Sequence, residues 1–316
     1  MNAFACAVRT NPAGLHWQPY GNTMVSGLTY SSSGPDSTSN LVWTPTRAAF
    51  PFTALIEGGG LESPRSAVAN YYTSIRGQSV HVISGARGGS EYVSLKRGTE
   101  AFRQFSQSLE SINARTAGGA SCLAVYSEHG GTDAHIGTTR EEYAAMLVEW
   151  QSDTAEKCRV SARGGDATFY AGQYSSWTAP ILSSLTTSTT VLGLYDAARA
   201  NFGRIIIVDP QYMDTYAVDG AHMTAASSRT MGARAGRAIA AGPSYQPLWP
   251  RLDNPVSRSG AVITVYLYTP TPPLVVDTTN ITGVSTSTRG FEYTCGSSPP
   301  AISSVDCSAA CPGNIC

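Results

Sequence analysis

An α/β domain, with a parallel sheet covered by helices on both faces, is the fold class this sequence predicts. Three observations carry it. From residue 63 to residue 241, short apolar or β-branched runs alternate with stretches of helical length and periodicity. The first two short runs close on glycines, as a strand entering a tight connection does. At 316 residues and 42% hydrophobic content, the chain can bury the core such a fold needs.

The elements follow in order. "SPRSAVANYYTSIRG" places Ser63 as N-cap, Pro64 at the first helical position and Gly77 as terminator, with Ala67, Tyr71 and Ile75 on one face. "SVHVISG" reads as a strand, "GTEAFRQFSQSLESINARTAGG" as a long amphipathic helix and "SCLAVYSEHGG" as a second strand. Next come "TTREEYAAMLVEWQSDTAEKC" (helix), "ATFYAGQYS" (strand), "TTVLGLYDAARAN" (helix), "RIIIVDP" (a fully apolar strand) and "TAASSRTMGARAGRAIAA" (helix). Residues 61–245 therefore form the α/β domain. Residues 1–60 are irregular, with "NAFACAV" as their one candidate strand. Past residue 242 the helices stop, and "AVITVYLYTPTPPLVVDTT" with "GFEYT" predicts a small β appendage over 255–305.

Composition narrows the function. Charged residues make up 14%, against a typical quarter, and the formal net charge is −1. No basic footprint for nucleic acid follows from that balance. No run approaches the roughly 18 apolar residues that span a bilayer, and residues 1–20 lack a signal-peptide layout, so membrane insertion is not expected. The neutral, hydroxyl-rich surface suits an extracellular or virion-associated protein. Four of the seven cysteines (Cys295, Cys307, Cys311, Cys316) crowd a Cys-rich tail whose last stretch is 306–316. Disulfides there are the expectation, with zinc the rival and disfavoured by the lack of any CxxC pair. The odd count leaves at least one free thiol, assigned to Cys6, Cys122 or Cys158 in their apolar contexts. No metal and no cofactor is expected.

In open parallel sheets, chemistry collects in loops beyond the carboxyl ends of the strands. Three loops stand there. "VDGAHM" brings Asp219 and His222 three apart at the mouth of the last helix, so the carboxylate can hold the imidazole in one tautomer while the ring takes a proton from a hydroxyl. The bland alternative is a capping Asp beside a packing His. "GARGGS" offers backbone amides at Gly88 and Gly89 for an oxyanion, and "SEHGGTD" a second set with a carboxylate. Each glycine loop alone also satisfies a tight turn.

Taken together, "GARGGSEYVSL", "SEHGGTDA", "TTREEYAAMLVEWQSD" and "VDGAHMTAASSRTMG" resemble the SGNH (GDSL-like) hydrolases, in the carbohydrate-esterase branch akin to sialate O-acetylesterases and to esterase domains of phage tail proteins. The resemblance runs from about Gln18 to about residue 305. "VITVYLYTPTPPLVVDT" with "GFEY" resembles the β extension of the phage-type members. It implies a three-layer α/β/α, flavodoxin-like fold and removal of acyl groups, usually acetyl, from sugars through a Ser nucleophile. The implied partners are an acetylated glycan or polysaccharide and, for a phage particle, other virion subunits.

Carried over by position, Asp219 orients His222, His222 is the general base, and Gly88 or Gly89 gives an oxyanion donor. The family's Gln-Gly-Glu-Ser-Asp block stands here as His129-Gly130-Gly131-Thr132-Asp133, so Gly130 and Asp133 match, Thr132 supplies the hydroxyl, and Gly131 lacks the carboxylate. The nucleophile block departs further: "MNAFACAVRTNPAGLHW" contains no serine. "GPDS" offers Ser37 instead; Ser26, Ser31, Ser32, Ser33 and Thr10 are lesser candidates, and a second chain completing the site is another reading. His16 and Trp17 are candidates to line a sugar site, His135 and Glu128 to lie at its periphery, and Tyr170, Tyr174 and Trp177 to wall it; packing is the alternative for each. "NIT" at Asn280 is a glycosylation sequon only in a glycosylating host. Two functions remain: an active O-acetylesterase, or a lapsed esterase fold serving as a structural or glycan-binding virion part.

Overall fold

The computed structural model describes residues 5–9, 23–25, 52–54, 63–84, 88–116, 118–161, 166–174, 189–211, 214–217, 219–220, 222–245, 257–259 and 262–264. The chain divides into two units, Met1–Tyr245 and Gln246–Cys316. The first is a mixed α/β unit. Its strands are β1 (Ala5–Arg9), β2 (Thr23–Val25), β3 (Phe52–Ala54), β4 (Val80–Ser84), β5 (Ser121–His129), β6 (Thr168–Gln173) and β7 (Ile205–Pro210). Its helices are α1 (Arg65–Arg76), α2 (Glu100–Arg115), the short α3 (Gly131–His135), α4 (Arg140–Ser161), α5 (Thr189–Ala200) and α6 (Ala225–Ala241). In the second unit β8 (Ser257–Ser259) pairs antiparallel with β9 (Val262–Thr264).

Among the described residues the first unit's strands form one sheet in the order β3-β2-β4-β1-β5-β6-β7. β5, β6 and β7 run parallel, as the intervening helices α4 and α5 require, because parallel neighbours need a long crossover. β2 is parallel to β4. The expectation of a wholly parallel sheet fails at two places: β1 lies antiparallel between β4 and β5, and β3 is antiparallel to β2. The alternation of strand and helix that implied a parallel sheet starts only at residue 63, so no crossover constrains the strands before it. The N-terminal segment also holds three strands rather than one. β2 and β3 are three residues each, too short to print an alternating pattern.

The sheet's side chains sort by alternation. Val80, Val82, Ala124, Tyr126, Tyr170, Ile206 and Val208 join Val68, Ala69 and Tyr72 of α1 and Ala235, Ala238 and Ile239 of α6 in one buried cluster. Phe169, the neighbour of Tyr170, instead meets Trp150 of α4, with ring centroids 5.3 Å apart. Each fully buried side chain of this size contributes roughly 1.5–3 kcal/mol.

α1 corrects the expected face. Val68, Ala69, Tyr72 and Thr73 are buried, while Tyr71 and Ile75 are exposed, and Pro64 is the N-cap rather than the first helical residue. Gly77 ends the helix in the left-handed region at φ 65° and donates its amide to the Thr73 carbonyl at 2.7 Å. The face is set by α6, whose Gly232 and Gly236 admit the α1 backbone. A Cβ on Gly236 would stand 2.5 Å from the Val68 carbonyl oxygen and 2.8 Å from the Tyr71 Cβ. No periodicity in α1 itself encodes so close an approach.

Cys122 on β5 and Cys158 on α4 form a disulfide, their Cα atoms 5.5 Å apart across 36 residues of sequence. Both were candidates for the free thiol. The fold removes these two by bringing the start of β5 against the end of α4, which leaves Cys6 of the three. The tail cysteines lie outside the described residues. No helix among the described residues is long and apolar enough to cross a membrane.

Gly236→Ala tests the helix contact. Alanine raises helix propensity by about 1 kcal/mol, but the added methyl meets backbone that cannot swing aside. The expected net result is a loss of about 1–3 kcal/mol in urea unfolding, opposite in sign to the propensity change.

Candidate active site

The turn after β5 is shaped by Gly130, whose φ of 124° disfavours any side chain. It leads into α3, where Asp133 is 1% exposed and accepts the Tyr92 amide through both carboxylate oxygens, at 3.3 and 3.2 Å. Tyr92 closes the segment that begins at Gly88 and Gly89. Gly88 is half-buried there, and Gly89 is exposed with a left-handed φ of 64°. One buried carboxyl thus fastens the loop after β4 to the turn after β5.

His129 reinforces the turn. Its ring stacks on Tyr143 with Nδ1 2.9 Å from the Tyr143 hydroxyl, and it meets Trp150 edge-on. Nε2 lies 3.2 Å from Asp133 Oδ2 without hydrogen-bond alignment. Burial pushes the His129 ring down to about 4 and the Asp133 carboxyl up to about 6, so at neutral pH the imidazole is uncharged. Both residues hold geometry. Thr132 is half-buried on α3, and His135 is exposed.

The loop after β7 is anchored from below. Arg234 of α6 bridges Asp209, at the end of β7, and Asp214. Above it, Thr215 donates its amide to Ser227 Oγ at 2.8 Å, Ala217 to the His222 carbonyl at 2.7 Å, and Thr224 to the Thr215 carbonyl at 3.0 Å. Gly220 turns the chain at φ 67°. Asp219 then holds His222 twice: Oδ1 accepts the His222 amide at 2.9 Å and Oδ2 lies 2.5 Å from ring Nδ1. The helix cap is Thr224, whose hydroxyl accepts the Ser227 amide at 3.3 Å. Asp219 is therefore committed to the imidazole rather than to the helix. Both side chains are about half exposed.

His222 lines a small open cleft with about 20 Å³ of enclosed space, together with Glu128, Tyr174, Gln211, Met223, Ser228, Met231 and Pro64. Tyr174 connects the cleft to the β5 turn, because a Cβ on Gly131 would stand 2.6 Å from its ring. The cleft, the Asp-His pair and the 129–133 turn share one sheet edge, and the 88–92 loop is tied to that turn through Asp133. Asp133 itself is not among the lining residues. Of the other wall candidates, Tyr170 lies in the buried cluster. Ser37, Ser26, Ser31, Ser32, Ser33, Thr10, His16, Trp17, Trp177 and Asn280 lie outside the described residues. Tyr174 and Ser228 are the described cleft-lining side chains that carry a hydroxyl.

Glu128 was expected at the periphery and sits in the cleft wall, buried. Its Oε1 accepts the Tyr126 hydroxyl at 2.5 Å. Burial pushes its carboxyl up to about 8; Asp209 and Asp214 add to this, while the Tyr126 hydrogen bond opposes it. Gly172 of β6 leaves the room: a Cβ there would stand 2.8 Å from Gln211 Nε2 and 3.4 Å from Glu128 Cγ. Sequence reasoning also passed over Gln211, Met231 and Arg234. The available signal was a carboxylate near the end of a mostly buried strand, two residues before its glycine exit.

No protein-family model matches the chain, and no curated protein matches it. Among solved structures, an Arabidopsis thaliana protein determined by X-ray diffraction at 1.6 Å is similar, at 15% identity and a TM-score of 0.49, covering 62% of this chain and 79% of that one. That likeness says nothing of chemistry.

Glu128→Gln tests the buried acid. A carboxyl raised from 4.5 to about 8 adds stability that is complete below pH 4.5 and lost as pH climbs toward 8. The neutral amide suffers no such loss. The stability of the variant relative to the wild type, followed by urea unfolding, should rise across pH 4.5–8 by up to several kcal/mol and then level off.

Proposed function

We propose that this chain is an SGNH-type ester hydrolase that removes acetyl or related acyl groups from a glycan, built on a three-layer α/β/α flavodoxin-like domain with a C-terminal β appendage over 255–305. The observation that carries the reading is the Asp219–His222 pair, clamped through ring and amide, in a cleft that abuts the glycine turn after β5. A bound imidazole with one nitrogen engaged by a carboxylate has its other nitrogen available as a base.

In this mechanism His222 Nε2 takes the proton of a serine hydroxyl as the oxygen attacks the ester carbonyl, and amides of Gly88 or Gly89 receive the oxyanion. The tetrahedral intermediate collapses, the sugar oxygen leaves with the proton from His222, and water hydrolyses the acyl-enzyme by the same steps. The nucleophile block is not found in this sequence, and Ser37 is the first candidate for the hydroxyl in this reading. Gly130 and Thr132 shape the substrate corner, and Asp133 acts by holding the 88–92 loop. The protein works outside the cell or on a phage particle as a tail or capsid-surface component, in contact with virion subunits.

One observation favours a second reading, a lapsed esterase kept as a structural or glycan-binding virion part. The Tyr174 ring fills the space beside Gly131, where the family pattern has a carboxylate.

Turnover of p-nitrophenyl acetate and of acetylated glycans separates the two. For the enzyme, His222→Ala lowers kcat/KM by about 10³-fold or more, and Ser37→Ala by as much. Equal, negligible turnover in wild type and His222→Ala leaves the scaffold. Turnover that survives Ser37→Ala but needs His222 moves the nucleophile to another hydroxyl.

A further inference from the structure

We propose that Glu128 is a catalytic residue of this cleft, the side chain that receives the acyl carbonyl oxygen of the substrate; this deepens the ester-hydrolase reading and rests on it. The carboxyl stands in the cleft wall with His222, Tyr174 and Gln211, while its own strand buries the rest of the residue. Tyr126 donates its hydroxyl to Oε1, which makes that oxygen an acceptor and leaves Oε2 to carry the acid proton. A neutral carboxylic acid presented to a cleft is a hydrogen-bond donor that needs no counter-ion.

Its surroundings keep it in that form. Asp209 and Asp214 stand close enough to oppose a second negative charge. Arg234 bridges those two aspartates, and the positive amino terminus of the chain acts on Glu128 in the opposite sense. Gln211 and Tyr174 face the cleft without charge, and His222 faces it with Asp219 on Nδ1. Gly172 leaves the gap in β6 into which Glu128 and the Gln211 amide fit.

The reaction assigns the proton simply. As the nucleophile adds to the ester carbon, the carbonyl π pair moves to oxygen and Oε2–H of Glu128 donates to it. Collapse of the intermediate returns the pair, and Glu128 keeps its proton throughout. The acid is a binding group for developing charge, and no net transfer from it is required.

The test has two arms, each run from pH 6 to pH 9 on wild type, Glu128→Gln and Glu128→Ala. The first is p-nitrophenyl acetate turnover, with His222→Ala as reference. The second is calorimetric binding of N-acetylglucosamine, whose amide presents the same carbonyl and is not cleaved by an esterase. Wild-type affinity for the sugar should weaken about tenfold between pH 6 and pH 9 as the acid form is lost. Glu128→Gln, which keeps a donor of the same shape, should bind with no such decline. Glu128→Ala should bind at least tenfold more weakly and lose about 10²-fold in kcat/KM.

The proposal is overturned if wild type fails to bind the sugar, if Glu128→Ala binds as wild type does, or if the alkaline decline persists in Glu128→Gln. Unfolding midpoints guard against a folding defect, and Glu128→Gln alone decides the matter should the alanine variant not fold. Absence of His222-dependent turnover in wild type defeats the hydrolase reading on its own, while the binding arm still judges Glu128.

Discussion

The candidate site depends on Arg234. Its guanidinium reaches from α6 to Asp209 at the end of β7 and to Asp214 five residues on, so one side chain pins the chain as it leaves the sheet. The described residues from Thr215 to Thr224, with the Asp219–His222 pair among them, follow that anchor along the chain. Charges so far from water are costly to bury, and an ion triad of this kind does not have to add net stability. Its value is positional. Burial pushes Asp209 up to about 7, while Arg234 pulls it back, which shows how far the cluster is from a solvated salt bridge.

The other half of the site is held by one buried carboxyl and a set of uncharged rings. Asp133 grips the Tyr92 amide, the uncharged His129 ring is stacked on Tyr143, and Trp150 closes over both Tyr92 and His129. Two carboxyls on opposite sides of this edge therefore do similar work on different loops. Glycines make the remaining room: Gly131 for the Tyr174 ring, Gly172 for Gln211 and Glu128, and Gly236 for the α1 backbone that closes the unit behind. In each case the absent side chain is the structural information.

Much of this was readable from residue order. The strand-helix alternation after residue 63 predicted β4 through α6 in sequence except the short α3, which was read as a glycine loop, because amphipathic period and strand length are local properties. The Asp-x-x-His spacing offered a carboxylate against an imidazole beside the alternative of a capping Asp, and the structure has the first. The face of α1 was misread because Tyr71 and Ile75 are apolar by type, whereas the buried side was chosen by the glycines of α6. Antiparallel β1 was misread because strand direction is a relation between segments and leaves no mark in the strand itself.

The sequence by itself determined most of the local elements, the order of the glycine turns and the nearness of Asp219 to His222, all of which follow from neighbours along the chain. The tertiary structure alone decided that Cys122 meets Cys158, that Asp133 turns inward to hold a loop 41 residues away, and that Glu128 enters the cleft wall. The physical reason is burial. Desolvation sets what a carboxyl or a thiol becomes, and it depends on which distant segments close over the residue, a property no window of sequence contains.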